Sequence, residues 1–245
     1  MVQGKIALIT GGGTGIGRAI ALILARSGVD IALNYSRSEE DALKTCQEIK
    51  DLGVRCFKYK ADVAQDEQVT SMVTNVVADF GKLDILVNNA GMTHFVEHAD
   101  LAGMKEAYWD DIMGVNVKGL FFCCRAVAAE LKATRGCIVN ITSIAGLTGL
   151  GSSIAYAASK AAAISVTKSL ARALAPEVRV NAVAPGIVQT RWVDGKEDHI
   201  ARLAANTPLG RVAGPEDIAE VVFSLIAHAA FVTGQTIVVD GGNFI

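Results

Sequence analysis

Short apolar runs that alternate with helical segments constrain the fold of this chain more than any other feature. The runs are continuous rather than interrupted by polar residues at every second position, and they are rich in Val and Ile. Strands that are buried on both faces have this composition, which indicates a parallel sheet covered by helices. The seven runs are Ile6–Thr10, Asp30–Asn34, Arg55–Tyr59, Ile85–Asn88, Cys137–Thr142, Arg179–Val183 and Thr236–Val239.

Segments with apolar residues at helical spacing lie between most of these runs, and several of them end at a glycine, as helices commonly do. This alternation predicts one doubly wound α/β (Rossmann) domain over residues 1–245, with about seven parallel strands and helices on both faces. We expect right-handed crossovers between the strands. The predicted helices are Gly15–Ser27, Glu39–Leu52, Asp66–Phe80, Trp109–Thr134, Ile154–Leu174 and Pro215–His228.

Charge and hydropathy exclude several classes of partner. The chain carries 23 Lys and Arg against 25 Asp and Glu, a net charge of −2, and it has no basic block. Binding to nucleic acid or to an anionic membrane needs clustered positive charge, so neither partner is expected. The mean hydropathy is +0.36, yet no apolar run reaches the roughly 18–20 residues of a membrane span. We therefore expect a cytoplasmic protein with a large core and apolar contacts between subunits.

The cysteines and histidines do not form a recognisable metal or disulfide pattern. The number of cysteines is odd and no C-x-x-C occurs, so buried free thiols are expected. His94 and His98 are four residues apart but have no third ligand nearby in the sequence, and we expect no metal site. The cysteines are Cys46, Cys56, Cys123, Cys124 and Cys137.

A glycine-rich turn, Thr10–Gly17, joins the first predicted strand to the first helix. Glycine permits positive φ and lets backbone N–H groups approach a diphosphate, which the following helix N-terminus also attracts. A turn without a ligand is the alternative, but its place between a strand and a helix favours a dinucleotide site. The candidate binding residues in this turn are Gly11, Gly13, Thr14, Gly15 and Gly17.

The end of the second strand bears on the choice of coenzyme. An Asp or Glu there would bind the 2′-hydroxyl of an adenosine ribose, but this chain has no carboxylate at that point. Arg37 could pair with a 2′-phosphate, and Ser36 could donate a hydrogen bond to it. The sequence therefore favours NADP(H) over NAD(H), with an ordinary solvated loop charge as the alternative interpretation of Arg37.

Tyr156 and Lys160 lie one helical turn apart on the same face of a predicted helix. A nearby positive charge would lower the pKa of the phenol, which could then move a proton to or from a substrate oxygen. A core tyrosine beside a surface lysine is the alternative. Ser143 ends the fifth strand, where ligands of open parallel sheets bind, and could orient a carbonyl group. Asn116 is a polar amide in an apolar helix, either functional or hydrogen-bonded within the core.

Taken together, these motifs resemble those of the short-chain dehydrogenase/reductase family over essentially the whole chain. The resemblance is closest to the 3-oxoacyl-[acyl-carrier-protein] reductase-like branch, through Val180–Gly186 and Pro208–Asp217. The matching motifs, in order, are T-G-x-x-x-G-I-G at Thr10–Gly17, N-N-A-G at Asn88–Gly91, Asn116, the Ser143, Tyr156 and Lys160 set, P-G at Pro185-Gly186 and V-D-G-G at Val239–Gly242.

The resemblance implies a role for each matching residue. Tyr156 would be the catalytic acid/base, Lys160 would lower its pKa and hold the nicotinamide ribose, and Ser143 would bind the substrate oxygen. Asn116 would anchor a water that links Lys160 to solvent. Further coenzyme contacts are implied for Ile16, Asp62, Val63, Asn89, Ala90, Gly91, Pro185, Gly186, Ile187 and Thr190.

The resemblance also implies an NAD(P)(H)-dependent oxidoreductase that acts on a ketone or secondary alcohol, with a 3-oxoacyl thioester as the expected substrate class. A dehydrogenase of a sugar, polyol or other small alcohol is one alternative, and a non-catalytic NAD(P)-sensing regulator is another. A homotetramer is expected. Residues at about 187–210 would form a lid over the substrate, in which Trp192 either lines the pocket or fixes the lid to the body.

Overall fold

A computed structural model describes residues 2–191 and 204–244 of the chain. In this described part, seven parallel strands form one sheet in the order β3-β2-β1-β4-β5-β6-β7, which is the doubly wound arrangement. All seven predicted strands are confirmed. Their bounds are β1 Ile6–Ile9, β2 Asp30–Tyr35, β3 Cys56–Lys60, β4 Ile85–Asn88, β5 Cys137–Ile141, β6 Arg179–Pro185 and β7 Thr236–Val239.

Helices cover both faces of the sheet, and the core accordingly has two layers. Alternate residues of the strands point to opposite layers: in β1, Ala7 and Ile9 pack against α1, α2 and α8, whereas Ile6 and Leu8 pack against α3, α5 and α7. This explains why the runs of the central strands are largely apolar on both faces. The helices are α1 Gly15–Arg26, α2 Glu39–Asp51, α3 Asp66–Phe80, α4 Glu106–Met113, α5 Leu120–Thr134, α6 Ala145–Thr148, α7 Ile154–Leu174 and α8 Pro215–Ala227.

The predicted helix Trp109–Thr134 requires correction. The helix begins three residues earlier, at Glu106, and a π-helical segment, Gly114–Gly119, joins α4 to α5. The continuous stretch Glu106–Thr134 is long and apolar enough to cross a membrane by length and composition. Its buried side chains, which include Ile112 and Leu120, belong to the protein core, and this accounts for its apolar character.

The carboxyl ends of the central strands position the candidate site. From β1 the chain passes to β2 on one side, and β4 lies on the other side of β1, so a crevice forms at this edge of the sheet. The glycine turn follows β1, and Asn88-Asn89 follows β4 at the same edge. Trp192 and half of the predicted lid, residues 192–203, lie outside the described residues.

Candidate active site

The glycine turn after β1 forms a cradle that only glycine backbone can make. Gly11 and Gly15 have φ angles of +61° and +53°. A Cβ at Gly17 would lie 2.4 Å from the carbonyl oxygen of Gly11, and a Cβ at Gly13 would lie 3.0 Å from the backbone nitrogen of Ala42. No side chain caps the N-terminus of α1, so its first N–H groups remain available to an anion.

The end of β4 supports this cradle. The Thr10 hydroxyl accepts hydrogen bonds from the backbone N–H groups of Asn89 and Ala90, both at 3.0 Å. The Asn89 amide in turn donates to the carbonyl oxygens of Thr10 and Gly11 at 3.1 and 3.0 Å. The side chain of Asn89 is therefore engaged in holding the turn.

Two further polar side chains hold the turn, and the motif analysis did not identify either of them. Asn34 is buried at the end of β2, where its Oδ1 accepts from Gly11 N–H at 3.3 Å and its Nδ2 donates to the Ala61 carbonyl at 3.0 Å. Thr45, in α2, donates to the Gly13 carbonyl at 2.9 Å. A polar amide that closes an otherwise apolar strand was the available signal for Asn34.

Ser36 and Arg37 follow β2 and are exposed beside this turn. Within residues 2–191 and 204–244, no carboxylate forms an ion pair with Arg37, whereas Lys58 on the neighbouring strand pairs with Glu39. Arg37 thus presents an exposed guanidinium, without an acidic partner among the described residues, at the position where the sequence predicted a phosphate contact.

Asp62 and Val63 follow β3, and the structure places them differently from one another. The Asp62 carboxylate accepts from Ala64 N–H at 3.0 Å and remains partly exposed. The Val63 side chain is buried, and a Cβ at Gly119 would lie 2.9 Å from its Cγ2. The coenzyme contacts that the family resemblance implies for Asp62 and Val63 stay predictions.

The structure brings Ser143, Tyr156 and Lys160 together at the carboxyl end of β5. A hydrogen bond joins the side chains of Ser143 and Tyr156. The Lys160 ammonium lies 5.7 Å from the centre of the Tyr156 ring and donates to the Ile141 carbonyl at 3.0 Å. Ser153 caps α7 by accepting from Tyr156 N–H at 3.2 Å, and this fixes where the helix begins.

Burial sets the protonation of this pair. It raises the pKa of Tyr156 to about 12, against an opposite effect of the hydrogen bond with Ser143. It lowers the pKa of Lys160 to about 8. Desolvation of the phenolate is the main cause of the raised pKa of Tyr156, and the expected lowering of that pKa by Lys160 stays a prediction. Tyr156 is therefore protonated at neutral pH, which is the form that can donate a proton.

Asn116 lies in the π-helical segment, and both the oxygen and the nitrogen of its side-chain amide form hydrogen bonds. Its Oδ1 accepts a hydrogen bond from Met92 N–H at 2.9 Å, and its Nδ2 donates one to the Met92 carbonyl at 3.0 Å. The same Nδ2 donates to Ser159 Oγ at 3.0 Å, and Ser159 donates to the Tyr156 carbonyl at 2.7 Å. Ser159 thus links Asn116 to the helix that carries Tyr156, a role that the motif analysis did not assign.

Gly91 explains how Asn116 and Lys160 come to face the same space. A Cβ at Gly91 would lie 3.4 Å from Asn116 Oδ1 and 3.6 Å from Lys160 Nζ. A side chain at this position would occupy the space between the two groups. Asn116 and Lys160 therefore face the same space above Gly91, the last residue of the N-N-A-G motif.

The chain after β6 returns towards the glycine turn. Pro185 accepts from Ile144 N–H at 3.0 Å, next to Ser143, and Gly186 donates to the Val239 carbonyl at 2.9 Å. Thr190 then reaches the start of α1, where a Cβ at Gly15 would lie 3.3 Å from its Cγ2. Ile187, which lies between them, is exposed at the same edge of the sheet.

No cysteine or histidine in the described part of the chain takes part in this site. All five cysteines lie in the described part of the chain and are buried free thiols, as predicted. His94 stacks on Tyr108 and bonds Asp111 at 3.0 Å. Among the residues that the structure describes, no group of three or more His, Cys, Asp or Glu is placed to hold a metal ion.

Comparison with known proteins identifies the family. The model of the family described as Enoyl-(Acyl carrier protein) reductase matches residues 11–243. A short-chain type dehydrogenase/reductase from Mycobacterium marinum superposes with a TM-score of 0.92 at 33% identity, covering 99% of this chain and 96% of that one. This chain belongs to the short-chain dehydrogenase/reductase family. A Burkholderia cenocepacia J2315 short chain dehydrogenase, solved in complex with NADP, superposes with a TM-score of 0.91 at 35% identity, covering 100% and 99% of the two chains.

The curated relatives confirm the predicted branch of this family. The 3-oxoacyl-[acyl-carrier-protein] reductase FabG of Staphylococcus aureus (strain Mu50) is 42% identical over 248 aligned residues, which cover 100% of both chains. The short-chain dehydrogenase/reductase described here is thus an NAD(P)-dependent oxidoreductase of the FabG-like branch. Its glycine cradle fits such a coenzyme, because Cβ atoms at Gly13 and Gly17 would close the space that lets backbone N–H groups approach a diphosphate.

Proposed function

We propose that this enzyme reversibly reduces the keto group of a 3-oxoacyl thioester, with NADP(H) favoured over NAD(H) and Tyr156 as the acid/base. The observation that carries the proposal is the geometry of Tyr156, whose side chain is hydrogen-bonded to Ser143 and whose ring centre lies 5.7 Å from the Lys160 ammonium. These groups stand at the sheet edge that also carries the glycine cradle. The 3-oxoacyl-[acyl-carrier-protein] reductases among its relatives favour an acyl thioester over a sugar or polyol as the substrate.

The protein's own residues provide the proton and the orientation. A bound nicotinamide coenzyme supplies the hydride to the carbonyl carbon. During reduction, Tyr156 donates its phenolic proton to the carbonyl oxygen. Ser143 donates a hydrogen bond to the same oxygen as negative charge develops there. In oxidation, Tyr156 takes the proton back from the alcohol.

Lys160 and Asn116 would return a proton to Tyr156. With a pKa lowered to about 8, Lys160 exchanges protons near neutral pH more readily than an ordinary lysine. Asn116 would hold a water between Lys160 and solvent, in the space above Gly91. Lys160 would also bind the ribose of the nicotinamide, and the lid at about 187–210 would cover the substrate.

Replacement of Tyr156 by Phe tests the acid/base assignment. We expect NADPH oxidation at 340 nm with acetoacetyl-coenzyme A, a soluble 3-oxoacyl thioester, to fall at least about 10²-fold, because the proton donor is lost while the ring remains. Tyr59→Phe is the matched control, since its hydroxyl bonds Asp79 at 2.7 Å at the edge of the sheet. If Tyr156→Phe binds NADPH normally and keeps most of its turnover, the assignment is wrong.

Replacement of Arg37 by Leu tests the coenzyme preference. Loss of the exposed, unpaired guanidinium should weaken NADPH binding, measured by fluorescence titration, much more than NADH binding, because only NADPH carries a 2′-phosphate. Arg55→Leu is the control, since Arg55 pairs with Asp30 at the opposite end of the sheet. An equal loss for both coenzymes would remove the reason for preferring NADP(H).

We also propose that the enzyme is a cytoplasmic homotetramer. Large apolar side chains near the last strand are exposed, with relative accessibilities of 105% for Phe231 and 45% for Phe244, and the outer residues Ile237 and Val238 of β7 are exposed beside them. Light scattering should give a molar mass near four subunits. A mass near the 25.7 kDa of one chain would contradict the proposal.

A further inference from the structure

Arg191 connects two elements at the mouth of the glycine cradle. One guanidinium nitrogen donates to Asp41 Oδ2 at 2.9 Å, and the other donates to Thr14 Oγ1 at 2.9 Å. Thr14 precedes α1, and Asp41 lies in the first turn of α2. The guanidinium therefore lies beside the helix N-terminus at which the cradle presents its backbone N–H groups.

The surroundings of Arg191 favour a more highly charged anion over the single Asp41 carboxylate that now pairs with it. The first turn of α1 has no acidic residue and no side-chain cap, so Asp41 is brought to this point from another helix. More than half of the Arg191 side chain and about a third of the Asp41 side chain are accessible to solvent. Their ion pair is consequently weak and can be exchanged for a stronger partner.

We propose that Arg191 is a coenzyme-binding residue, which grips the diphosphate together with the N-terminus of α1 once that anion replaces Asp41 as its partner. A guanidinium can form two parallel hydrogen bonds with phosphate oxygens, and a doubly charged diphosphate attracts it more strongly than a single exposed carboxylate. The contact with Thr14, which precedes α1, favours the diphosphate over the 2′-phosphate, for which Arg37 is the nearer candidate. This inference rests on the proposed function.

The proposal gives opposite effects for the two members of the ion pair. Removing Arg191 removes a ligand of the diphosphate, so coenzyme binding weakens. Neutralising Asp41 removes the competitor of the diphosphate and a repulsive charge near it, so coenzyme binding strengthens. If the pair only fixed the chain after β6 to α2, both changes would loosen the same contact and affect binding in the same direction.

The experiment measures dissociation constants of NADPH and NADH by fluorescence titration for the wild type, Arg191→Met, Arg191→Lys and Asp41→Asn. Arg191→Met should weaken both coenzymes by about tenfold and by the same factor, since both contain the diphosphate. Arg191→Lys should recover part of this loss. Asp41→Asn should bind both coenzymes about two- to threefold more tightly. Arg18→Met is the matched control, because Arg18 also joins α1 to α2, through Glu48, and should leave both constants unchanged.

Other outcomes would overturn the inference. Unchanged constants in Arg191→Met, a loss confined to NADPH, or a weakening in both Arg191→Met and Asp41→Asn would each show that Arg191 does not bind the diphosphate. Failure of the wild type to bind either coenzyme would instead contradict the proposed function itself. Thermal unfolding of each variant establishes that the compared proteins are folded.

Discussion

Replacement of Lys160 by Met should remove a pH dependence of stability that the wild type has. Lys160 is only 5% accessible, and burial lowers its pKa from 10.5 to about 8. Between these two values the folded protein has released the proton while the unfolded chain still binds it. Stability rises with pH wherever the unfolded state binds more protons, so the wild type should become more stable as the pH rises from 8 towards 10.5.

The magnitude follows from the lowered pKa. At pH 9.5 the buried amine is almost entirely neutral and the unfolded one almost entirely charged, whereas at pH 7.5 both are mostly charged. With 1.36 kcal/mol for each pH unit within this window, Lys160 contributes about 2 kcal/mol of additional unfolding free energy at pH 9.5 relative to pH 7.5. Tyr156 acts in the opposite sense, but only above pH 10, because burial raises its pKa from 10 to about 12.

The assay is urea unfolding at pH 7.5 and 9.5 without added coenzyme. All other titrating groups are shared, so the change between the two pH values in the wild type, minus the same change in Lys160→Met, isolates Lys160. Lys168→Met, an exposed position on the same helix, should behave as the wild type does. An equal pH response of wild type and Lys160→Met would refute the reasoning, since it would mean that the amine is not desolvated in the folded protein.

Three further changes have defined outcomes. Gly17→Ala should lower the unfolding free energy by about 1–3 kcal/mol and weaken coenzyme binding, because its Cβ would collide with the Gly11 carbonyl. Gly114→Ala is the control: only one atom lies within 4 Å of its Cβ, so it should gain up to about 1 kcal/mol of helix stability in the same urea assay. Asn34→Leu should cost about 1–3 kcal/mol and weaken NADPH binding, because Gly11 N–H and buried carbonyls lose their partner. The five thiols should react with a disulfide reagent only after unfolding, since all five are buried and out of reach of the reagent, and burial also raises the pKa of Cys124 to about 12. Rapid labelling of the native protein would contradict their burial.

The central strands could be predicted from the sequence because they are largely apolar on both faces, whereas the edge strand β3 carries Lys58 and Lys60. In β1 the two pairs of alternating residues belong to opposite core layers, and no polar position interrupts the run. The glycine turn and the Tyr156 and Lys160 pair could also be placed, since both motifs are local and their spacing alone puts the groups on one surface. Local motifs and strand patterns can therefore be recognised without knowing which elements pack together.

What could not be predicted depends on contacts between distant parts of the chain. The π-helical turn at Asn116 has no local signal, because it coincides with hydrogen bonds to Met92 and Ser159, which lie 24 and 43 residues away. The direction of the pKa change at Tyr156 was also inaccessible, since spacing shows the neighbouring charge and not the depth of burial. For the same reason the sequence did not show that Val63 turns into the core.

Buried polar contacts, rather than apolar packing, fix the catalytic helix relative to the sheet. Asn88 in β4 donates to Asn140 in β5 at 2.9 Å, and Asn140 donates to Thr167 in α7 at 2.9 Å. Apolar surfaces tolerate small shifts at little cost, whereas a displaced hydrogen bond leaves a buried group unpaired. A shift of α7 along β5 would break this chain together with the bond from Lys160 to the Ile141 carbonyl. The position of Tyr156 beside Ser143 is therefore determined by hydrogen bonds on the inner face of the same helix, which explains why an otherwise apolar interface contains two asparagines and a threonine.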